Sequence, residues 1–114
     1  MTTITKDFVR ANDIGIHYID AGTPDAPPLV LLHGGLVSTS EIWAPTPISY
    51  ASHMRRLAEE FHIIAPDARG SAMTNHSGRP VSMSMLAGDV AALIDALGLH
   101  RPAVAGFSEG GLAA

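Results

Sequence analysis

The stretch Pro102–Gly111, PAVAGFSEGG, passes directly from a short apolar run into glycines that surround one serine. The run PAVAGF is typical of a buried β-strand, and SEGGLAA after it favours the start of a helix. Ser108 therefore stands at a predicted strand-to-helix junction, with Gly106 and Gly110 two positions away on either side. Such a junction predicts a fold in which strands and helices alternate.

The N-terminal segments predict an antiparallel hairpin. TITKDFVRA (3–11) and IGIHYIDAG (14–22) are rich in β-branched and aromatic residues, and Asn12-Asp13 between them is a turn signal. Farther along, Leu29–Leu32 is continuously apolar and FHIIAP (61–66) is similar, as expected for parallel strands covered on both faces.

Helical spacing separates these strands. One apolar stripe precedes FHIIAP and another follows it, and the second predicts a helix with Ser82 or Ser84 as its N-cap and Gly98 as its terminator. The first stripe comprises Ile48, Ala51, Met54, Leu57 and Ala58, and the second Leu86, Val90, Leu93 and Leu97. The sequence thus predicts an α/β fold with a mostly parallel sheet, in which a hairpin precedes β-α-β units.

Composition limits the function classes. The chain has 114 residues, 46% of them hydrophobic, a formal net charge of −4 and no cysteine. No basic field favours nucleic acid or a membrane surface, and disulfides, thiolate nucleophiles and cysteine-bound zinc are excluded. Charged residues interrupt the N-terminus where a signal peptide needs an apolar run, which predicts a cytoplasmic protein.

We expect neither a metal nor a cofactor. The six histidines are scattered, and no H-E-x-x-H motif or pair at helical i, i+4 spacing is found.

The Gly-x-Ser-x-Gly pattern at Ser108 is typical of a nucleophilic serine. A sharp strand-to-helix turn projects the hydroxyl above the sheet, and the free N–H groups of the following helix stabilise an oxyanion. Two alternatives stay open: the pattern arises by chance in glycine-rich chains, or the glycines cradle a phosphate as in dinucleotide-binding folds. The spacing is not G-x-G-x-x-G, which disfavours the second.

Five segments together resemble the α/β-hydrolase superfamily, and its serine esterases in particular. They are YIDAG, LVLLHGG, IIAPDARG, DVAALIDALGL and AGFSEGG, in the family's order and at its usual spacing. The resemblance extends from about Ile14 to Gly111. It implies that residues 1–114 form a single, partial hydrolase domain, truncated after the nucleophile elbow.

The resemblance assigns Ser108 as the nucleophile and the backbone N–H of Glu109 as one oxyanion donor. The second donor is expected from the loop after the third strand, with Gly35 as first choice and Leu36 as second. His33 matches a histidine that shapes this loop.

Asp67, Arg69 and Gly70 match the family's D-x-R-G segment, which implies that they brace a loop. Ala72 and Thr74 stand where the family usually has a glycine and a serine, so the turn around them departs from the family's pattern.

The family's catalytic acid and histidine follow the serine, and only EGGLAA follows Ser108 here. Other histidines are therefore weighed as bases. Only His33 and His76 are expected at the catalytic edge, where the parallel strands end, and they are the candidate bases. His17, His53, His62 and His100 are expected elsewhere.

The leading hypothesis is a serine hydrolase that acts on a small carboxylic ester or related acyl compound. The alternatives are a non-catalytic, hydrolase-like fragment or interaction module and, more distantly, a nucleotide-binding module. Because PAVAGF would form an apolar sheet edge, we also expect a homo-oligomer or pairing with a C-terminal complement.

Overall fold

The structure, a computed structural model, describes residues 4–32, 56–67 and 82–106. Within these ranges the chain forms strands β1 (Ile4–Ala11), β2 (Ile14–Ala21), β3 (Pro28–Leu32), β4 (His62–Pro66) and β5 (Ala103–Gly106), and helix α1 (Met83–Ala96). The strands described make a five-stranded sheet in the order β1-β2-β4-β3-β5. The predicted α/β fold is confirmed, and the assignment of residues 1–114 to one domain stays a prediction.

The predicted N-terminal hairpin is confirmed. β1 and β2 pair antiparallel along their whole length, from Ile4 opposite Ala21 to Ala11 opposite Ile14. The turn residues Asn12 and Asp13 have φ angles of 51° and 64°. Two positive φ angles characterise a type I′ turn, and Asn and Asp tolerate them better than most residues.

The parallel part of the sheet is centred on β3. This strand pairs in parallel with β4 on one side and with β5 on the other. On its far side β4 pairs antiparallel with β2, which attaches the hairpin to the parallel strands. β3 is buried from Leu29 to Leu32, as the continuous apolar run predicts.

Each face of the sheet carries its own apolar cluster. Because side chains alternate along a strand, Leu29 and Leu31 enter one cluster while Val30 and Leu32 enter the other. The first cluster also contains Ile19, Ala21, Ala58, Ile63 and Ala65, and the second Ala11, Ile14, Ile16, Tyr18, Ile64 and Leu93. The second cluster packs against α1, which contributes Leu93 to it.

Helix α1 begins and ends as its sequence predicts. The Ser82 hydroxyl accepts a hydrogen bond of 3.1 Å from the Met85 N–H, so Ser82 rather than Ser84 is the N-cap. The predicted stripe faces inward, with Leu86 and Leu93 buried. Gly98 follows the C-cap with a φ of +65°, a conformation that glycine adopts without strain.

Two predicted elements lie largely or wholly outside the described residues. Of the helix predicted before β4, the structure describes only its end, a helical turn in which Ala58 is buried. The segment after Gly106, which contains the predicted elbow, is not described. No helix in the described ranges is long and apolar enough to cross a membrane.

Candidate active site

The candidate site is the edge of the sheet at which β3, β4 and β5 all end. Their last residues are Leu32, Pro66 and Gly106. Leu32 is paired with Gly106, so the chain leaves β3 and β5 from neighbouring positions, roughly 4.8 Å apart. In open α/β sheets, ligands bind in the crevice beyond the carboxyl ends of the strands.

All the site residues in the sequence prediction lie outside the described residues: Ser108, Glu109, Gly35, Leu36, His33 and His76. The structure does describe the ends of the strands that precede most of these residues. His33 directly follows Leu32, and Ser108 comes two residues after Gly106. The strands leading into the predicted oxyanion loop and into the predicted nucleophile therefore end side by side.

Asp67, directly after β4, is the one residue of the D-x-R-G segment that the structure describes. Its carboxylate is buried, and Oδ2 lies 2.8 Å from Nδ1 of His17 on β2. Because a carboxylate only accepts hydrogen bonds, Nδ1 carries the hydrogen. The Asp67 N–H also donates to the carbonyl oxygen of His17 over 2.8 Å. We call these two residues the carboxyl-edge pair.

The expectation that only His33 and His76 stand at this edge was wrong, because His17 also lies there. β2 runs antiparallel to β4, with Tyr18 opposite Pro66, so His17 is level with the residue that follows β4. The assignment of His17 to the hairpin was correct, but the edge of the sheet at which it lies depends on the β2–β4 register. The one signal in the sequence was a histidine inside an otherwise apolar strand, IGIHYI.

His17 is too far from the end of β5 to take a proton from a group there. Three strand spacings separate β2 from β5, or about 14 Å, whereas proton transfer needs contact at roughly 3 Å. His17 is 7% exposed, and the ring of Phe8 packs edge-on against its imidazole, with the two ring centroids 5.1 Å apart. These surroundings suit a residue that holds neighbouring groups in position rather than a general base.

A second histidine–aspartate pair joins the same two strands at the opposite edge. Nε2 of His62, the first residue of β4, lies 2.9 Å from Oδ1 of Asp20 on β2. We call these residues the amino-edge pair. Since side chains alternate, His62 shares the face of Ile64, whereas Asp67 follows the alternation of Ile63 and Ala65 on the other face.

The described residues contain no group of three or more side chains suited to hold a metal ion. The pairs above each join one histidine to one carboxylate, so neither supplies a ligand set by itself.

The family model of the alpha/beta hydrolase fold matches residues 27–114. The chain belongs to the α/β-hydrolase family. The match covers β3, β4, α1 and β5, and it confirms the resemblance inferred from the sequence motifs.

Similar proteins include hydrolases of different substrate classes. A soluble epoxide hydrolase of Corynebacterium sp. (strain C12) is 33% identical over 110 residues, which cover 96% of this chain and 35% of that protein. An uncharacterized carboxylesterase of Bacillus subtilis (strain 168) is 38% identical over 108 residues, which cover 94% and 34%. The chain thus spans about a third of the length of these curated relatives.

Solved structures of the family superpose well on this chain. The enol-lactonase of Burkholderia xenovorans LB400 has a TM-score of 0.82 at 28% identity, and the match covers 94% of this chain and 39% of that one. This agreement confirms the α/β-hydrolase arrangement of the sheet, including the antiparallel hairpin that precedes the parallel strands.

Proposed function

We propose that this α/β-hydrolase is a serine hydrolase that cleaves small carboxylic esters or related acyl compounds through an acyl-enzyme at Ser108. The observation that carries the proposal is the pairing of Leu32 with Gly106. The strands that precede His33 and Ser108 in the sequence therefore end at neighbouring positions, which supports a nucleophile at Ser108 and an oxyanion loop after His33.

In the first step, the Ser108 hydroxyl oxygen attacks the substrate carbonyl carbon and a base accepts the serine proton. The oxyanion accepts hydrogen bonds from the backbone N–H groups of Glu109 and Gly35, with Leu36 as the alternative second donor. The tetrahedral intermediate collapses, and the alcohol departs with a proton from the protonated base. Water then attacks the acyl carbonyl carbon while the base accepts a proton from it, and the base returns this proton to the Ser108 oxygen as the carboxylic acid is released.

The candidate bases are His33 and His76. None of the histidines in the described residues is placed to act as the base instead of these two or together with them. His17 is about 14 Å from the end of β5, His62 is the first residue of β4, and His100 precedes the amino end of β5. The substrate is a small molecule, with no nucleic acid or membrane partner.

An ester is favoured over an epoxide by the residue at position 108. An epoxide hydrolase is among the proteins similar to this chain. The family resemblance implies that epoxide hydrolases use a carboxylate nucleophile, whereas this chain has Ser108. Serine forms an ester with an acyl group, which water can hydrolyse.

Fluorophosphonate labelling followed by intact and peptide mass analysis tests the proposal. We expect one adduct on Ser108, no adduct in Ser108→Ala, and unchanged labelling in Ser84→Ala, whose serine lies exposed on α1. Ester turnover should fall at least about a thousandfold in Ser108→Ala. Retained turnover in that variant would remove Ser108 as the nucleophile, and absent labelling in the unmodified protein would favour the non-catalytic module.

A paired substrate assay separates the two reaction classes. We expect hydrolysis of a short-chain nitrophenyl ester and none of a styrene epoxide. Epoxide opening that survives Ser108→Ala would contradict the proposed substrate class.

A further inference from the structure

The two histidine–aspartate pairs bracket the contact between β2 and β4. Backbone pairing runs from Tyr18 opposite Pro66 to Ala21 opposite Ile63. The carboxyl-edge pair, His17 and Asp67, lies just beyond one end, and the amino-edge pair, Asp20 and His62, lies at the other. Each strand segment thus contributes to both pairs, and only one of the two stands at the edge of the candidate active site.

The carboxyl-edge pair is the more deeply buried of the two. The side chains of His17 and Asp67 are 9% and 1% exposed, whereas those of His62 and Asp20 are 13% and 35% exposed. A buried carboxylate needs hydrogen-bond donors to offset its lost hydration. Loss of the His17 donor removes one hydrogen bond that offsets the burial of the Asp67 carboxylate, which favours a shift of Asp67 towards water.

Such a movement would displace the point at which the chain leaves β4. Asp67 directly follows Pro66, and its N–H is held by the carbonyl oxygen of His17. β4 pairs with β3, and β3 pairs with β5, so the carboxyl end of β4 is next to that of β3 and two strand spacings, about 10 Å, from that of β5. A misplacement of about 1 Å is sufficient to slow a reaction strongly.

We propose that His17 is a positioning residue of the hydrolase site: through the Nδ1 hydrogen bond to Asp67, it fixes the carboxyl end of β4 beside the end of β3, the strand that leads into the predicted oxyanion loop. This inference rests on the proposed function for its effect on catalysis. Its structural part, the restraint on Asp67, is independent of whether Ser108 is the nucleophile.

Two amide variants at each histidine separate positioning from general stability. Asparagine puts an N–H donor near the position of Nδ1, and glutamine puts one near Nε2. His17 uses Nδ1 and His62 uses Nε2. Therefore His17→Asn and His62→Gln keep their respective contacts, whereas His17→Gln and His62→Asn lose them.

The test measures two quantities in the complete chain, at a temperature where each variant is folded by circular dichroism. One is the rate of fluorophosphonate labelling at Ser108, and the other is amide hydrogen exchange at Asp67. We expect His17→Gln to label about tenfold more slowly and to exchange the Asp67 amide faster. His17→Asn should restore both, and both His62 variants should label within about twofold of the unmodified protein.

Equal labelling in His17→Gln and His17→Asn would overturn the proposal, as would an equal loss in His17→Gln and His62→Asn, which indicates stability alone. If the unmodified protein is not labelled at Ser108, the proposed function fails. The exchange measurement then still decides the structural part, because unchanged protection of the Asp67 amide in His17→Gln would contradict the restraint.

Discussion

Tyr18 carries a phenol in the interior of the sheet. It is 7% exposed, and burial raises the pKa of its hydroxyl above the ordinary value of 10.0, with further contributions from the carboxylates of Asp7 and Asp20. The folded state therefore favours the neutral phenol. This contribution to stability is complete below pH 10 and is lost as the pH rises through the higher pKa of the folded state.

We predict that Tyr18→Phe makes the alkaline decline of the unfolding free energy shallower. Denaturant titrations from neutral pH to above pH 10 measure this decline. Asp7→Asn removes the second contribution to the raised pKa of Tyr18, because Asp7 lies directly opposite Tyr18 in the β1–β2 register. The alkaline decline of the unfolding free energy in this variant should lie between those of the unmodified protein and Tyr18→Phe. Identical alkaline curves for all three proteins would show that Tyr18 does not contribute.

Gly22 and Gly98 form a matched pair of glycines with positive φ. Gly98 has a φ of +65° and open space around the position of a Cβ. Gly22 has a φ of +91°, and a Cβ there would collide with the carbonyl oxygen of Phe61 and stand 2.9 Å from that of Ala58. Both contacts are with backbone, which cannot rotate away.

We predict that Gly98→Ala lowers the unfolding free energy by about 1 kcal/mol, the cost of backbone strain alone. Gly22→Ala should cost about 3 kcal/mol or more, because a steric clash adds to the strain. Urea denaturation of both variants measures the difference. Equal losses would mean that the turn at 58–61 moves to accept the methyl group.

Among the elements, α1 provides a direct test of its N-terminal cap. The Ser82 hydroxyl accepts a hydrogen bond from the Met85 N–H in the first turn, whereas Ser84 is exposed inside the helix. We predict that Ser82→Ala lowers the unfolding free energy by about 1 kcal/mol and that Ser84→Ala changes it by less than about 0.5 kcal/mol. Thermal and urea unfolding check both values, and a larger loss in Ser84→Ala would reassign the cap.

Element boundaries follow local sequence closely. The predicted strands 3–11, 14–22 and 61–66 are observed within one residue of those bounds, because turn residues and apolar runs act over a few positions. The local sequence did not distinguish Ser82 from Ser84 as the N-cap of α1. Either serine can accept from an amide two or three residues on, and the structure shows Ser82 as the cap, with Leu86 and Leu93 of the helix buried.

The whole sheet has β5 at one end in the part of the chain that the structure describes. Three of its four residues are exposed, and its described pairing is with β3 alone. We propose that this edge pairs with a second copy or a C-terminal complement, since an open strand edge favours intermolecular pairing.

We predict that Ala103→Lys shifts the protein towards smaller species in sedimentation velocity, because an edge lysine opposes strand pairing. Thr5→Lys, exposed on β1 at the opposite end of the sheet, is the control and should leave the distribution unchanged. A stable, monodisperse monomer before substitution would contradict the proposal.

The site residues predicted from the sequence stay predictions, because they lie outside the described residues, whereas the strands that precede most of them are described. The G-x-S-x-G pattern and the apolar run before it predicted that β5 leads into the site, and the pairing of Gly106 with Leu32 agrees. His17 was missed as a residue of that edge. Its partner Asp67 is 50 residues away, and nothing local to either residue reveals the register that joins them.

By itself the sequence determined the alternation of strands and helices and the turn at Asn12-Asp13, because these depend on side-chain periodicity and backbone preference within short windows. It also determined the family, through the resemblance of five motifs. Only the tertiary structure decided the strand order β1-β2-β4-β3-β5 and the pairing of His17 with Asp67 and of Asn12 with Asp89, 77 residues apart. Those contacts form when two apolar faces are buried together, and burial fixes which distant polar groups meet.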